Sequence, residues 1–218
     1  MNRFFHRVHE LGLYDRISLL LLKASYFETN LFPNLRVLQW NTQHITSIKY
    51  IKPLLCHSLV ALDITSYEED EMTLSSFFKI LPSRCPGLTI INLNSYCSDN
   101  WKFRDSISRA LCTFKTLKRL LVSSRVDDAA LRHLLMSSQL EELALAITQN
   151  QLAEYSPLPS DTPLRNAKKL DLCLSGLDLI VNLLRPGDQK FSEITIHLFN
   201  LDLPHAIGSI FSGLTSRA

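Results

Sequence analysis

The chain has 218 residues, 46% of them hydrophobic and 20% charged, with 23 Lys and Arg against 21 Asp and Glu and a formal net charge of +2. That length buries a sizeable core, and the balanced, dispersed charge excludes both a disordered polyelectrolyte and the one-sided basic face of a nucleic-acid binder. The longest aliphatic run, Leu19 to Leu22, is far short of the roughly 18–20 residues of a membrane span, and no signal-peptide layout opens the chain, so an intracellular protein of cytoplasm or nucleus is expected.

In chain order, one pattern recurs: apolar-x-x-apolar-x-apolar, followed by apolar residues at the helical spacing i, i+3, i+4, i+7. Val8-Leu11-Leu13 precedes Ile17-Leu20-Leu21-Ala24. Leu35-Leu38-Trp40 precedes Ile45-Ile48-Ile51, where Pro53 interrupts the helix. Leu59-Leu62-Ile64 leads through Glu68-Glu69-Asp70-Glu71 to Leu74-Phe77-Phe78-Leu81. Leu88-Ile91-Leu93 leads through Trp101-Lys102-Phe103-Arg104 to Ile107-Ala110-Leu111-Phe114, and Leu117-Leu120-Val122 to the shorter Leu131-Leu134-Leu135. Leu140-Leu143-Leu145 runs into the proline-rich 156–163, an expected irregular loop. Ala167-Leu170-Leu172 precedes Leu177-Ile180-Val181-Leu184, and Phe191-Ile194-Ile196 precedes Ile207-Ile210-Phe211-Leu214.

The eight copies begin near 8, 35, 59, 88, 117, 140, 167 and 191, at intervals of 23 to 29 residues, the period of leucine-rich repeats. Side chains alternate along a strand, so the fourth and sixth residues of each copy face the core and the third, fifth and seventh face away. Thr73, Asp105 and Asp127 are the expected helix N-caps, while Pro82, Pro86 and Pro186-Gly187 are expected to stop helices. Strand, helix, strand at this spacing predicts an α/β solenoid of about eight degenerate repeats in a single domain over 1–218, curved as a horseshoe, with a parallel sheet on the concave face and helices on the convex face.

Leu31-Phe32-Pro33-Asn34-Leu35-Arg36-Val37-Leu38-Gln39-Trp40, with Ser58-Leu59-Val60-Ala61-Leu62-Asp63-Ile64 a repeat later, resembles the leucine-rich-repeat region of fungal F-box-like proteins. The resemblance implies that the repeats select the protein to be ubiquitinated, while an F-box ahead of them docks to a cullin-type ligase. Here the first repeat starts at about Val8, leaving no room for an F-box. The Asn or Cys that regular repeats place just after the strand is also missing, so helix packing is expected to hold the far side. Phe4, Phe5, Val8, Phe211 and Leu214 would lie at uncapped ends, which suggests a fragment or subunit completed by additional repeats or a capping chain.

The expected protein-binding residues on the concave face are Tyr14, Gln39, Asn41, Asp63, Thr65, Asn92, Asn94, Arg119, Glu142, Lys169, Asp171 and His197. Their amides and hydroxyls suit a peptide or protein bound through hydrogen bonds, and Tyr and Arg are common interface anchors. Arg119, Glu142, Lys169 and Glu193 alternate in sign across adjacent strands, which fits either a ladder of surface ion pairs or a set of ligand contacts. Ser123 is the expected seventh-position residue of its copy. Trp101 to Arg104 reads either as an interface or as a segment folded under a helix beginning at Asp105. The acidic run 68–71 reads as a solvated capping loop or a site for a basic partner.

Catalysis is not expected. Cys173 and His197 fall at equivalent places in neighbouring copies, but the sequence specifies no orienting carboxylate and no oxyanion donors. Five cysteines without a Cys-x-x-Cys pair read as buried thiols, and seven histidines lack ligand spacing, so neither a metal nor a cofactor is expected. The function expected is protein binding, as the substrate-recognition part of an F-box-type ubiquitin-ligase receptor. The alternative is a non-catalytic scaffold that stacks through its ends.

Overall fold

The computed structural model describes residues 5–14, 31–42, 48–66, 71–95, 101–147, 164, 166–174 and 191–198. The helical patterns at 17–24, 177–184 and 207–214, the loop at 156–163 and the acidic residues 68–70 lie outside them, as do Phe4, Pro186 and Gly187.

Each of the eight copies forms a strand. These are β1 (Glu10–Leu13), β2 (Val37–Thr42), β3 (Ala61–Ser66), β4 (Ile90–Ser95), β5 (Arg119–Arg125), β6 (Glu142–Ile147), β7 (Lys169–Leu174) and β8 (Glu193–Leu198). They make one open sheet in sequential order, every neighbouring pair parallel. Parallel neighbours need a crossover, and three described α-helices occupy these connections: α1 (Glu71–Arg84), α2 (Trp101–Leu111) and α3 (Asp128–Leu135). Among the described residues no helix is long and apolar enough to cross a membrane.

Period-two alternation decides which face is dry. In β2 to β7 the fourth- and sixth-position residues, from Leu38 and Trp40 to Leu170 and Leu172, are all buried, as is the apolar residue that opens each copy. Each such side chain gains roughly 1.5–3 kcal/mol on burial, and stacking supplies it with neighbours on both sides. Copies at the two ends of the sheet are drier on one flank only: Leu11 and Val8 are half-buried and Ile194 is 42% exposed.

The helices close the other side of this core. Leu74, Phe77, Phe78 and Leu81 of α1 are buried, and the rings of Phe77 and Phe78 meet edge to face at 5.1 Å. Ile107, Ala110 and Leu111 bury the matching stripe of α2, with Phe114 buried just beyond its end, and Leu131, Leu134 and Leu135 bury that of α3. Ser75 and Ser106 hydrogen-bond at 2.8 Å where α1 meets α2.

Four local expectations are corrected. Thr73 and Asp105 lie inside α1 and α2, which begin upstream of them, so neither is an N-cap; Asp127 is one, its carboxylate accepting from the Ala130 N–H at 2.8 Å. Pro82 sits in the last turn of α1 instead of stopping it; the helix runs on to Arg84 because burial of Leu81 and the following Cys85 holds the turn. Pro53 likewise falls within a short 3-10 helix, Ile48–Leu54, whose Ile51 and Leu54 are fully buried.

Side-chain hydrogen bonds hold the turns that enter the strands. Immediately before the opening apolar residue of a copy, a polar side chain reaches back to a carbonyl of the preceding copy. Asn34 donates to His6, Ser58 to Pro33, Thr116 to Leu88 and Asn166 to Ser138, at 2.8, 2.6, 3.0 and 2.5 Å. Buried Cys56 adds a thiol donor to the Leu35 carbonyl at 3.3 Å. At every junction one carbonyl accepts two N–H groups from the start of the next strand, as His9 does from Arg36 and Val37 at 2.8 and 3.0 Å.

Candidate functional site

The pairing register arranges the outer face of the sheet, opposite the helices, into lines that cross the strands. Glu10, Val37, Ala61, Ile90, Arg119, Glu142, Lys169 and Glu193 form the first. Gly12, Gln39, Asp63, Asn92, Leu121, Ala144, Asp171 and Thr195 form the second. The third begins Asn41, Thr65, Asn94 and ends Ala146, Cys173, His197. Neighbours in a line are about 4.8 Å apart, which brings residues more than twenty positions apart in sequence into contact.

Every expected concave-face residue lies on this outer face, and the lines divide them into two regions. Across β2 to β4 the surface is uncharged apart from Asp63. Tyr14, just past β1, is 62% exposed and donates from its hydroxyl to Gln39 Oε1. Its ring lies against the bare α-carbon of Gly12, where an added Cβ would come within 2.5 Å of Tyr14 Cε2. Gly12 thus makes room for this placement of the Tyr14 ring, a contact the sequence reading missed, although a glycine between two leucines in a short strand signals a close approach.

Asp63 accepts a side-chain hydrogen bond from Asn92; partial burial pushes its carboxyl up from the ordinary range, and this hydrogen bond pulls the other way. Among the described residues the enclosed Oδ1 atoms of Asn41 and Asn92 have no hydrogen-bond partner, nor has Nε1 of Trp40 in the core. Each such atom costs about 1–3 kcal/mol relative to a paired one.

Across β5 to β8 the surface is charged and locally neutralised. Arg119 grips Glu142 with two contacts, Nε to Oε2 at 2.5 Å and an Nη2 hydrogen bond to Oε1 at 2.9 Å. Lys169 pairs with Glu193 at 3.0 Å, and the hydrogen bond it donates to that carboxylate pushes the ammonium up. Beside them Lys168 pairs with Glu141 at 2.8 Å; their hydrogen bond raises the lysine and lowers the glutamate. The alternation of sign read from the sequence therefore resolves into discrete pairs, Arg119 with Glu142 and Lys169 with Glu193.

One seventh-position residue is corrected. The β5 register shifts between Val122 and Arg125, so Arg125 stands opposite Ala146 where Ser123 was expected, and the Ser123 hydroxyl turns to the Leu93 carbonyl at 3.2 Å. An irregularity of this kind re-aims side chains without leaving any trace in hydrophobic periodicity.

Cys173 and His197 are register partners, but the Cys173 side chain lies outside the described residues. Asp171 supplies the carboxylate absent from the sequence reading: its Oδ1 is 3.4 Å from His197 Nε2. Both side chains are about half exposed, so the pair stands in water and not in the low-dielectric cleft that tunes a general base. Glu71 opens α1, and Trp101 to Arg104 form the first turn of α2, which therefore begins four residues before Asp105.

A shallow depression enclosing about 140 Å³ opens over β6 to β8, with Glu142, Lys169, Asp171, Glu193 and Thr195 around it and Leu121 and Ala144 below. Among the described residues no group of three or more His, Cys, Asp or Glu side chains is placed to hold a metal ion.

No family model, curated protein or solved structure matches this chain.

Proposed function

We propose that the chain is a protein-binding module and not an enzyme: a leucine-rich-repeat horseshoe whose outer sheet face is the concave recognition surface. The observation that carries this reading is the register itself. Two lines of side chains cross all eight parallel strands and a third starts at β2 and shifts at β5, with donors and acceptors such as Gln39, Asp63, Asn92 and Asn94 at one end and paired charges at the other. Broad, regular arrays of polar and half-exposed apolar groups fit an extended protein surface better than a small substrate.

By its resemblance to the repeats of fungal F-box-like proteins, the module is read as the substrate-recognition part of an intracellular F-box-type ubiquitin-ligase receptor. The test is affinity capture from a native lysate with three forms of the chain, each checked for folding by circular dichroism. These are the natural sequence, an outer-face variant (Asp63, Arg119 and Lys169 to Ala) and a helix-side variant (Lys79, Arg84 and Arg109 to Ala). A protein retained by the natural and helix-side forms and lost by the outer-face form supports the receptor, and co-capture of ligase subunits supports its place in a ligase. Equal retention by all three sinks the outer-face reading.

A second reading, a scaffold that stacks through the ends of its sheet, is favoured by one observation. Ile194 occupies a core-facing register position beside buried Leu170, yet 42% of it is exposed. Concentration-dependent assembly abolished by Ile194→Asp supports that reading, and a chain that stays monomeric at all concentrations eliminates it.

A further inference from the structure

In the depression over β6 to β8 a cavity, an apolar floor and an unbalanced charge coincide. Three carboxylates, Glu142, Asp171 and Glu193, surround it against one ammonium, Lys169. Two of the three are neutralised at close range, Glu142 by Arg119 and Glu193 by Lys169. Asp171 instead faces the imidazole of His197 at 3.4 Å, a group that is charged only when protonated. Beside Asp171 in the same line lie Ala144 and then Leu121, an apolar strip leading up to the carboxylate.

A ligand suited to this arrangement carries a positive, donor-only head and an apolar stem. A chloride or phosphate would meet three carboxylates, and a purely apolar group would strip water from Asp171 without replacing it. Lysine and arginine both lay an aliphatic stem on apolar surface and keep a charged head at its edge. The planar guanidinium adds two parallel donors matched to one carboxylate, with further N–H groups left for the Thr195 hydroxyl beside it.

We propose that this depression receives an arginine side chain of the protein partner, its guanidinium on Asp171 and its stem over Ala144 and Leu121. The inference rests on the protein-binding reading and specifies the chemistry at one point of that surface. Asp171 is the anchor, and the Arg119–Glu142 and Lys169–Glu193 pairs are its walls, which keep both resident cations away from it.

The test uses the full chain, isotope-labelled, with the peptide Ac-Gly-Leu-Arg-Leu-Gly-NH2 as probe and NMR as readout. Saturable shifts confined to the Ala144 and Leu121 methyls and the Thr195 amide are expected. Citrulline in place of arginine keeps the shape and removes the charge, and weakens binding by roughly tenfold or more; lysine falls between. Asp171→Asn produces the same loss and Asp105→Asn, on the helix side, produces none. Equal binding of the citrulline peptide, undiminished binding to the Asp171→Asn chain, or shifts scattered over the molecule overturns the proposal. A partner captured through the outer face whose retention survives Asp171→Asn sinks this inference and leaves the receptor reading intact. Saturable arginine binding with no partner captured does the reverse.

Discussion

The hydroxyl of Ser58 donates to the carbonyl oxygen of Pro33 at 2.6 Å, and one repeat later Gly87 occupies the equivalent place with no side chain to donate. A Cβ built at Gly87 would meet the His57 carbonyl at 3.6 Å and the Leu59 carbonyl at 4.0 Å, ordinary contacts with the same two carbonyl positions that Ser58 uses one repeat earlier, at Pro33 and Leu35. Gly87→Ser is expected to add a rung to the polar ladder and stiffen the unfolded chain. The gain is about 0.5–1.5 kcal/mol, read as a higher urea midpoint at unchanged slope. A lower midpoint would show that the added hydroxyl cannot reach either carbonyl.

Arg119 and Glu142 make a bidentate pair, but with side chains 47% and 24% exposed they remain in contact with water. A double-mutant cycle with alanine at both positions is expected to give a coupling of under about 1 kcal/mol, shrinking further in 1 M salt. A coupling that persists undiminished in high salt would place the pair in a drier environment than its exposure indicates.

Asp63 carries a stability cost at neutral pH. Its folded pKa is raised by burial above the ordinary 3.8, so the folded chain binds this proton more tightly than the unfolded chain. The associated stability is fully present below 3.8 and is lost as pH rises through the folded value. Asp63→Asn removes that dependence. The variant is expected to gain on the natural sequence as pH rises from 3.5 to 7, by at most about 1 kcal/mol since the site is only partly buried. Parallel stability curves over that interval would contradict the shift.

Cys85 is fully buried, and burial pushes its thiol up to about 12, with neighbouring Cys56 adding to the rise. Only the thiolate attacks an alkylating agent. Iodoacetamide at pH 8 is expected to label Cys85 at least about a hundredfold more slowly in the native chain than in urea, as read by peptide mass spectrometry. Similar rates in both conditions would reveal local opening around α1.

Much of the fold was legible because it depends on properties local to a strand. An apolar residue at the fourth and sixth place of each copy must be buried together with its neighbour two residues away, so Leu62 with Ile64 and Leu143 with Leu145 could be assigned to the core face from alternation alone. The outward direction of Gln39, Asp63 and Asn92 followed from the same rule. Helix faces were equally visible, as was the start of α3 at Asp127, whereas α1 and α2 begin upstream of the polar residues that looked like caps.

The sequence by itself determined which residues share a face, because side-chain direction is set by backbone period. Only the tertiary structure decided what each of them touches. Arg119 finds Glu142, Tyr14 finds Gln39 and Asp171 finds His197 across 23 to 26 residues of chain, and the shift within β5 brings Arg125 where Ser123 was expected. These contacts depend on stacking register, rotamer and a bulge. Charge neutralisation depends in turn on those distances, and it is what leaves Asp171 without a permanent cation on a surface whose composition is balanced.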